Sequence, residues 1–344
     1  MIVKTLRLTT SEEDIRKAGE LIVCGGLIAF PTETVYGLGA DALDQEAVRS
    51  VYEAKGRPSD NPMIVHIADA MDLEPLVRNG RASISEDALK LIGTFWPGPL
   101  TLVFPKAESV PDATTGGLDT VAIRMPSNET AQRFIRAAGR PIAAPSANLS
   151  GKPSPTTAAD VLEDMDGRID GVIMGEQCDV GIESTVLDMT GEVPTILRPG
   201  LITREWLEAV LGKEVALDKH LLEEPDHLAD PGDGVADEEF APKSPGMKYV
   251  HYSPDAKVTL LEGNDYEFRV KATAIGLEAR KHGQRVAVID YGDDVRGAAH
   301  RLFADLREFD RQGYDIILIR TLEESGLGFS VMNRMLKSAG YDVK

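Results

Sequence analysis

Residues 213–243 carry ten acidic and three basic side chains and are interrupted by Pro225, Pro231, Gly232, Gly234 and Pro242. Like charges repel and proline withholds a backbone donor, so this stretch cannot sustain a long helix or strand; it reads as a linker or long surface loop. It divides a chain of 344 residues, which is already longer than one typical core supports. The part before it has a net charge of −12 and the part after it none, so the total of −19 sits on the first part and the tether. A chain this acidic repels polyanions at long range, which argues against general nucleic-acid or acidic-membrane binding. Any phosphate must then be held in a local cationic pocket. Two cysteines, Cys24 and Cys178, are too few for a disulfide framework or a Cys-rich zinc site. The apolar runs are strand-sized, and Met1-Ile2-Val3-Lys4-Thr5 has no apolar signal core, so the expectation is a cytoplasmic enzyme without a membrane segment.

The first part alternates short apolar runs with helical patterns. Residues 26–30 read as a buried strand stopped by Pro31, and Asp44 can cap a helix whose Ala47, Val48, Val51 and Tyr52 share a face. Further strands are expected at 63–67, 100–104, 121–124, 142–144, 172–174, 184–187 and 195–198, with helices at 128–138, 157–165 and 203–212. Their irregular spacing predicts a mixed sheet. After the tether, strands at 257–261, 286–289 and 316–320 alternate with helices at 267–282 and 298–312, and a last helix is stopped by Gly340, which predicts a small parallel βαβαβα unit. The fold class is therefore α/β, with a larger mixed-sheet domain at 1–212, a linker at 213–254, and a smaller Rossmann-like parallel domain at 255–344.

Familiar phosphate and nucleophile templates fail. Gly37-Leu38-Gly39-Ala40-Asp41-Ala42 fits a loose G-x-G-x-x-A pattern, but Gly37 lies seven positions after Phe30, too far for the tight turn of a dinucleotide fingerprint. Five polar segments at strand ends remain, where a rigid sheet presents functional loops. Phe30 to Gly37 reads equally as an ordinary turn or as a ligand loop in which Glu33 helps hold an amine. Lys55-Gly56-Arg57-Pro58 projects two cations from a stiff loop, suited to triphosphate, although cations also favour a helix C-terminus. His66, alone in an apolar strand, fits a hydrogen-bonded core residue at least as well as a ligand. Residues 142–154 offer Ser146, Asn148, Ser150 and Ser154 among small residues and prolines, which let a ligand approach the backbone closely. Arg124 and Arg198 close strands, and either acidic side chains or ligand anions could balance them.

Taken in order, PTETVYGLG, KGRPSDNP, FWPGPLTLVF, VAIRMPS, APSANLSGKPSPT, ESTVLD, ILRPG and SPGMKYVHYSP resemble the long form of the threonylcarbamoyl-AMP synthase family, a YrdC-like domain followed by a linker and a Rossmann-like domain. The resemblance covers nearly the whole chain. It implies a nucleotidyltransferase that makes L-threonylcarbamoyladenylate and pyrophosphate from L-threonine, bicarbonate or CO2, and ATP, for the tRNA adenosine beside the anticodon. It places the family's catalytic set on Lys55, Arg57, Ser146 and Asn148. Nucleotide contacts fall on Arg57, Asn61, Thr120, Ser146, Ser154 and Arg198, with Tyr249 as a cover, and threonine contacts on Thr34, His66, Arg124, Ala144 and Ser184. Mg2+ is implied with ATP, held mainly by phosphate oxygens and by no protein metal motif. The implied partners are these small molecules and downstream proteins that transfer the threonylcarbamoyl group to tRNA; no membrane and no strong direct nucleic-acid binding are expected. Residues 244–252, short and aromatic, are expected to act as a lid. Two other readings compete. One is a hydrogenase-maturation type carbamoyltransferase, whose extra zinc-finger and acylphosphatase modules this chain lacks the cysteines and length to hold; the other is a non-catalytic RNA-binding module, which the −12 charge opposes.

Overall fold

The computed structural model describes residues 4–222 and 251–344. Among these, the first part builds one sheet from β1 (Leu6–Leu8), β2 (Ile28–Phe30), β3 (Gly37–Asp41), β4 (Ile64–His66), β5 (Leu100–Pro105), β6 (Thr120–Arg124), β7 (Ile142–Ala144), β8 (Gly171–Ile173), β9 (Thr185–Asp188), β10 (Thr195–Arg198) and β11 (Ala216–Leu217). Their spatial order is β1-β8-β2-β3-β7-β4-β6-β5-β9-β10-β11. Parallel pairs such as β4 with β6 adjoin antiparallel ones such as β2 with β3 and β4 with β7, which is the mixed sheet that the irregular strand spacing predicts. The register sets His66 opposite Arg124 in adjacent strands.

Helices α1 (Glu12–Val23), α2 (Gln45–Lys55), α3 (Glu86–Phe95), α4 (Asp112–Thr115), α5 (Glu129–Ala138), α6 (Ala158–Met165) and α7 (Arg204–Leu211) accompany this sheet. α2 begins where Asp44 accepts hydrogen bonds from the amides of Glu46 and Ala47, and it ends at Gly56 in the left-handed conformation (φ 62°). Its buried face runs through Ala47, Val48, Val51, Tyr52 and Lys55, so helical periodicity alone carries a lysine onto the inward side.

The second part folds as β12 (Lys257–Leu261), β13 (Val286–Ile289) and β14 (Ile316–Arg320), ordered β12-β14-β13 and parallel throughout, with α8 (Asp265–Lys281), α9 (Val295–Arg311) and α10 (Leu327–Ser338). The three strands match the expected ranges residue for residue. Three features depart from the sequence reading or add to it. β1, α1 and α3 were not anticipated. β3 falls on Gly37-Leu38-Gly39-Ala40-Asp41, so the glycine pair that mimics a phosphate loop is a buried strand. The stretch expected as tether from Lys213 begins with β11, which pairs in parallel with β10 and lengthens the first sheet.

The two parts share a core. Val35 and Ile182 of the first pack with Tyr252, Ala298, Ala299, Leu302 and Phe303. Gly181 (φ +83°) makes that contact possible, because a Cβ there would lie 2.4 Å from the carbonyl oxygen of Ala299. Polar contacts reinforce it: the Arg307 guanidinium donates to Asp164 Oδ2 and to the Pro153 carbonyl, each at 2.7 Å. No helix among the described residues is long and apolar enough to cross a membrane.

Candidate active site

The loops after β2, α2 and β7, together with the ends of β4, β6, β9 and β10, surround a cleft. Among the described residues, Lys55, Arg57, Arg124, Lys152 and Arg198 line it against one acidic side chain, Glu183. An overall charge of −19 thus coexists with a cationic cavity, as phosphate binding would require.

Each cation has a built position. Lys55 reaches back from the last turn of α2, and its Nζ donates to the carbonyls of Ser146, at 2.5 Å, and Asn148. Burial, then the neighbouring Arg57, pushes its ammonium well below the ordinary lysine range. Arg57, turned by Gly56, folds onto its own proline-framed loop through Asn61 O (3.3 Å) and Pro62 O (3.1 Å). Arg124 is 3 % exposed. Its Nη1 donates to Thr34 Oγ1 at 2.9 Å and its Nε to Gly98 O at 3.2 Å, while Nη2 lies 2.7 Å from Glu33 Oε1 but off the hydrogen-bonding line. Arg198 donates to both the carbonyl and the hydroxyl of Ser184, at 3.0 and 3.1 Å. Burial lowers its guanidinium to about 10, and it keeps its charge at neutral pH.

Neutral groups complete the wall. Burial, then Arg124, drives the His66 imidazole down to about 3; the neutral ring donates from Nδ1 to the Ile64 carbonyl (3.1 Å) and stands edge-on to Phe30. Asn148 spends its Nδ2 on Leu149 O and Lys152 O, and its buried Oδ1 has no hydrogen-bond partner among the described residues. Ser154 Oγ donates to Glu183 Oε1 at 2.6 Å. The chain enters the second domain past His251 and Tyr252, which also line the cleft; Tyr252 stacks on Phe303 with ring centroids 5.0 Å apart.

Of the residues expected in the site, Lys55, Arg57, Ser146, Asn148, Ser154, Arg198, Thr34, His66, Arg124, Ala144 and Ser184 all line this one cavity. Asn61 and Thr120 do not appear in its lining: Asn61 is buried behind it, its carbonyl accepting from Tyr52 Oη and Arg57, and Thr120 opens β6. Tyr249, and the expected lid as far as residue 250, lie outside the described residues. Glu183, His251 and Tyr252 were not singled out as site residues, although each sits inside a segment that was.

A family model described as "Telomere recombination" (Sua5_yciO_yrdC) matches residues 20–200, and one described as "Threonylcarbamoyl-AMP synthase, C-terminal domain" matches residues 202–340. The chain belongs to the threonylcarbamoyl-AMP synthase family. It is 46% identical to the threonylcarbamoyl-AMP synthase of Pyrococcus abyssi, covering 99% of this chain and 98% of that protein. Identity to the Bacillus subtilis threonylcarbamoyl-AMP synthase is 42%, over 98% and 96% of the two chains. The crystal structure of P. abyssi Sua5 complexed with L-threonine superposes with a TM-score of 0.88 at 45% identity, covering 100% of this chain and 99% of the other. Coverage of both domains by synthases sets aside a hydrogenase-maturation carbamoyltransferase and a non-catalytic RNA-binding module. As a synthase of this family the chain is a nucleotidyltransferase-type enzyme that makes L-threonylcarbamoyladenylate for tRNA modification.

Proposed function

We propose that the cationic cleft is where this synthase assembles its product, with L-threonine held by the Thr34, His66, Arg124, Ala144 and Ser184 wall and ATP by Arg57, Ser146, Ser154 and Arg198. The observation that carries this is the convergence, on one cavity, of buried cations and of polar atoms that have no hydrogen-bond partner among the described residues. Threonine's neutral amine captures CO2 as a carbamate. A carbamate oxygen then attacks the α-phosphorus as the bond to the β-phosphate oxygen breaks, and pyrophosphate leaves. Such a transfer depends on positioning and on cations that stabilise spreading negative charge. Lys55 and Arg57 stand where that charge would develop. Arg124, already ordered by Thr34 and Gly98, offers its guanidinium to the threonine carboxylate, a role it would share with its pairing to Glu33. His66, neutral at physiological pH, contributes hydrogen bonding without charge.

Mg2+ fits this site as a companion of ATP. Among the described residues no three His, Cys, Asp or Glu side chains gather as a cation cage, and Glu183 is committed to Ser154 and an arginine. An ion that arrives on phosphate oxygens and keeps its waters needs no such cage, and it would neutralise phosphate charge. The product is a mixed anhydride, so proteins that transfer the threonylcarbamoyl group to tRNA must consume it promptly. Two unpaired thiols, exposed Cys24 and buried Cys178, suit a reducing cytoplasm. Pyrophosphate release measured with ATP, bicarbonate and single amino acids tests the reading. Release with threonine and far less with valine is expected, because valine would leave hydroxyl-binding groups unpaired. No release with threonine would refute it.

A further inference from the structure

Helix α10 sends Arg334, fully buried, across to the first domain. Its Nε donates to Glu183 Oε2 at 3.2 Å, and its Nη1 donates to the carbonyls of Pro199 and, at 3.3 Å, Ser330. One turn earlier, Ser330 Oγ donates to Gly200 O at 2.8 Å, tying the same helix to the loop that follows Arg198. Glu183, 6 % exposed, uses its other oxygen to accept from Ser154 Oγ, so a continuous chain of contacts runs from the second domain to the cavity wall. Burial by itself would raise the Glu183 carboxyl. Arg334, then Arg198 and the Ser154 hydroxyl, overcome this and hold it below the ordinary range.

The direction of the Ser154 hydrogen bond follows from that charge. An ionised carboxylate only accepts, so the single Ser154 proton points at Glu183 and the hydroxyl oxygen turns its lone pairs to the cavity. It can then receive a donor, such as a ribose hydroxyl, the adenine amine or a metal-bound water, and it cannot donate to a phosphate oxygen. We propose that Arg334 of the second domain is a positioning residue of the synthase, which keeps Glu183 an acceptor and thereby makes Ser154 an acceptor for a donor group of the bound nucleotide. The inference rests on the placing of ATP against Ser154. It gives the second domain a part in nucleotide binding. Arg307, bonded to Pro153 O and to Asp164, whose Oδ2 accepts from the Leu149 amide, braces the same 145–154 loop from α9.

The full-length enzyme tests this through the KM for ATP and for threonine. In Glu183→Gln the amide oxygen faces Arg334 and its NH2 faces Ser154, reversing the hydrogen bond at almost constant shape. Glu183→Gln, Arg334→Met and Ser154→Ala should each raise the ATP KM about tenfold, the scale of one lost hydrogen bond, and leave the threonine KM within about twofold. Arg334→Lys, which keeps a charge on Glu183, should recover most of the loss. Adding Ser154→Ala to Glu183→Gln should raise the ATP KM no further, and this pair of near-isosteric changes remains readable if Arg334→Met fails to fold. An unchanged ATP KM in Ser154→Ala overturns the nucleotide placement, and this inference with it. A raised KM there, to which the Glu183→Gln effect simply adds, overturns the coupling alone, as would Arg334 variants that lower the melting temperature and shift both KM values together.

Discussion

Replacing His66 with glutamine should remove a definite share of the protein's acid sensitivity. In the folded chain burial, then the neighbouring Arg124, holds the imidazole at about 3, against 6.5 when free. Between those values the unfolded chain binds a proton that the folded chain refuses, so stability rises with pH across the window and falls on acidification. From pH 7 to pH 5, about 1.5 units below the unfolded value, the loss is about 2 kcal/mol, and the whole window of about 3.5 units is worth about 5 kcal/mol. The side chain is 4 % exposed, so solvent screening takes little from these figures. Urea unfolding of the wild type and His66→Gln at pH 7 and pH 5 reads the effect, since glutamine can still donate to the Ile64 carbonyl but does not titrate. The wild type should lose about 2 kcal/mol more than the variant. Carbon-labelled histidine resonances supply an independent check, with the His66 signal silent to pH 5. Equal losses in the two proteins, or a His66 resonance titrating near 6.5, would refute the reasoning.

Lys55→Met removes a cation that burial penalises but also strips a donor from the Ser146 and Asn148 carbonyls. These effects oppose each other, so the melting temperature should move by only a few degrees while turnover falls about 100-fold or more. A large loss of stability with turnover intact would make Lys55 a structural residue only. Arg124→Gln should raise the threonine KM and destabilise the fold by about 3–5 kcal/mol, because Glu33 is left buried without its counter-charge. Adding Glu33→Gln should restore stability in denaturant titrations and leave threonine affinity poor; recovery of both would contradict a carboxylate clamp.

Most of the second domain was legible in the sequence, because its strands are apolar runs bounded by glycine; two of its helices open on Asn264 and Asp294, side chains that accept from the first amides, and so start a few residues before the expected 267 and 298. In the first domain Asp44, Asn128 and Thr157 marked helix starts for the same reason. Ser11 and Ser85, each followed by acidic first turns, carried equal signals for α1 and α3 that the reading passed over. β3 was hidden for a physical reason: two glycines in five residues have low strand propensity, and only pairing with β2 and β7 makes them a strand. The cavity's own residues stood out as polar segments at strand ends. Arg307 and Arg334 did not, since an arginine on an amphipathic helix looks solvent-facing until a second domain closes over it.

Glu183 and Arg334 lie 151 positions apart along the chain. The larger sheet is complete only at Leu217, 117 positions before Arg334, and at about 5–20 residues per second of synthesis about 6–23 s pass in which that sheet, with its whole set of cleft-lining cations, already exists while the carboxylate beneath Ser154 still lacks its guanidinium. A nascent chain would therefore carry a recognisable but unfinished nucleotide site, completed only when one of the last helices to be made docks against some of the earlier loops.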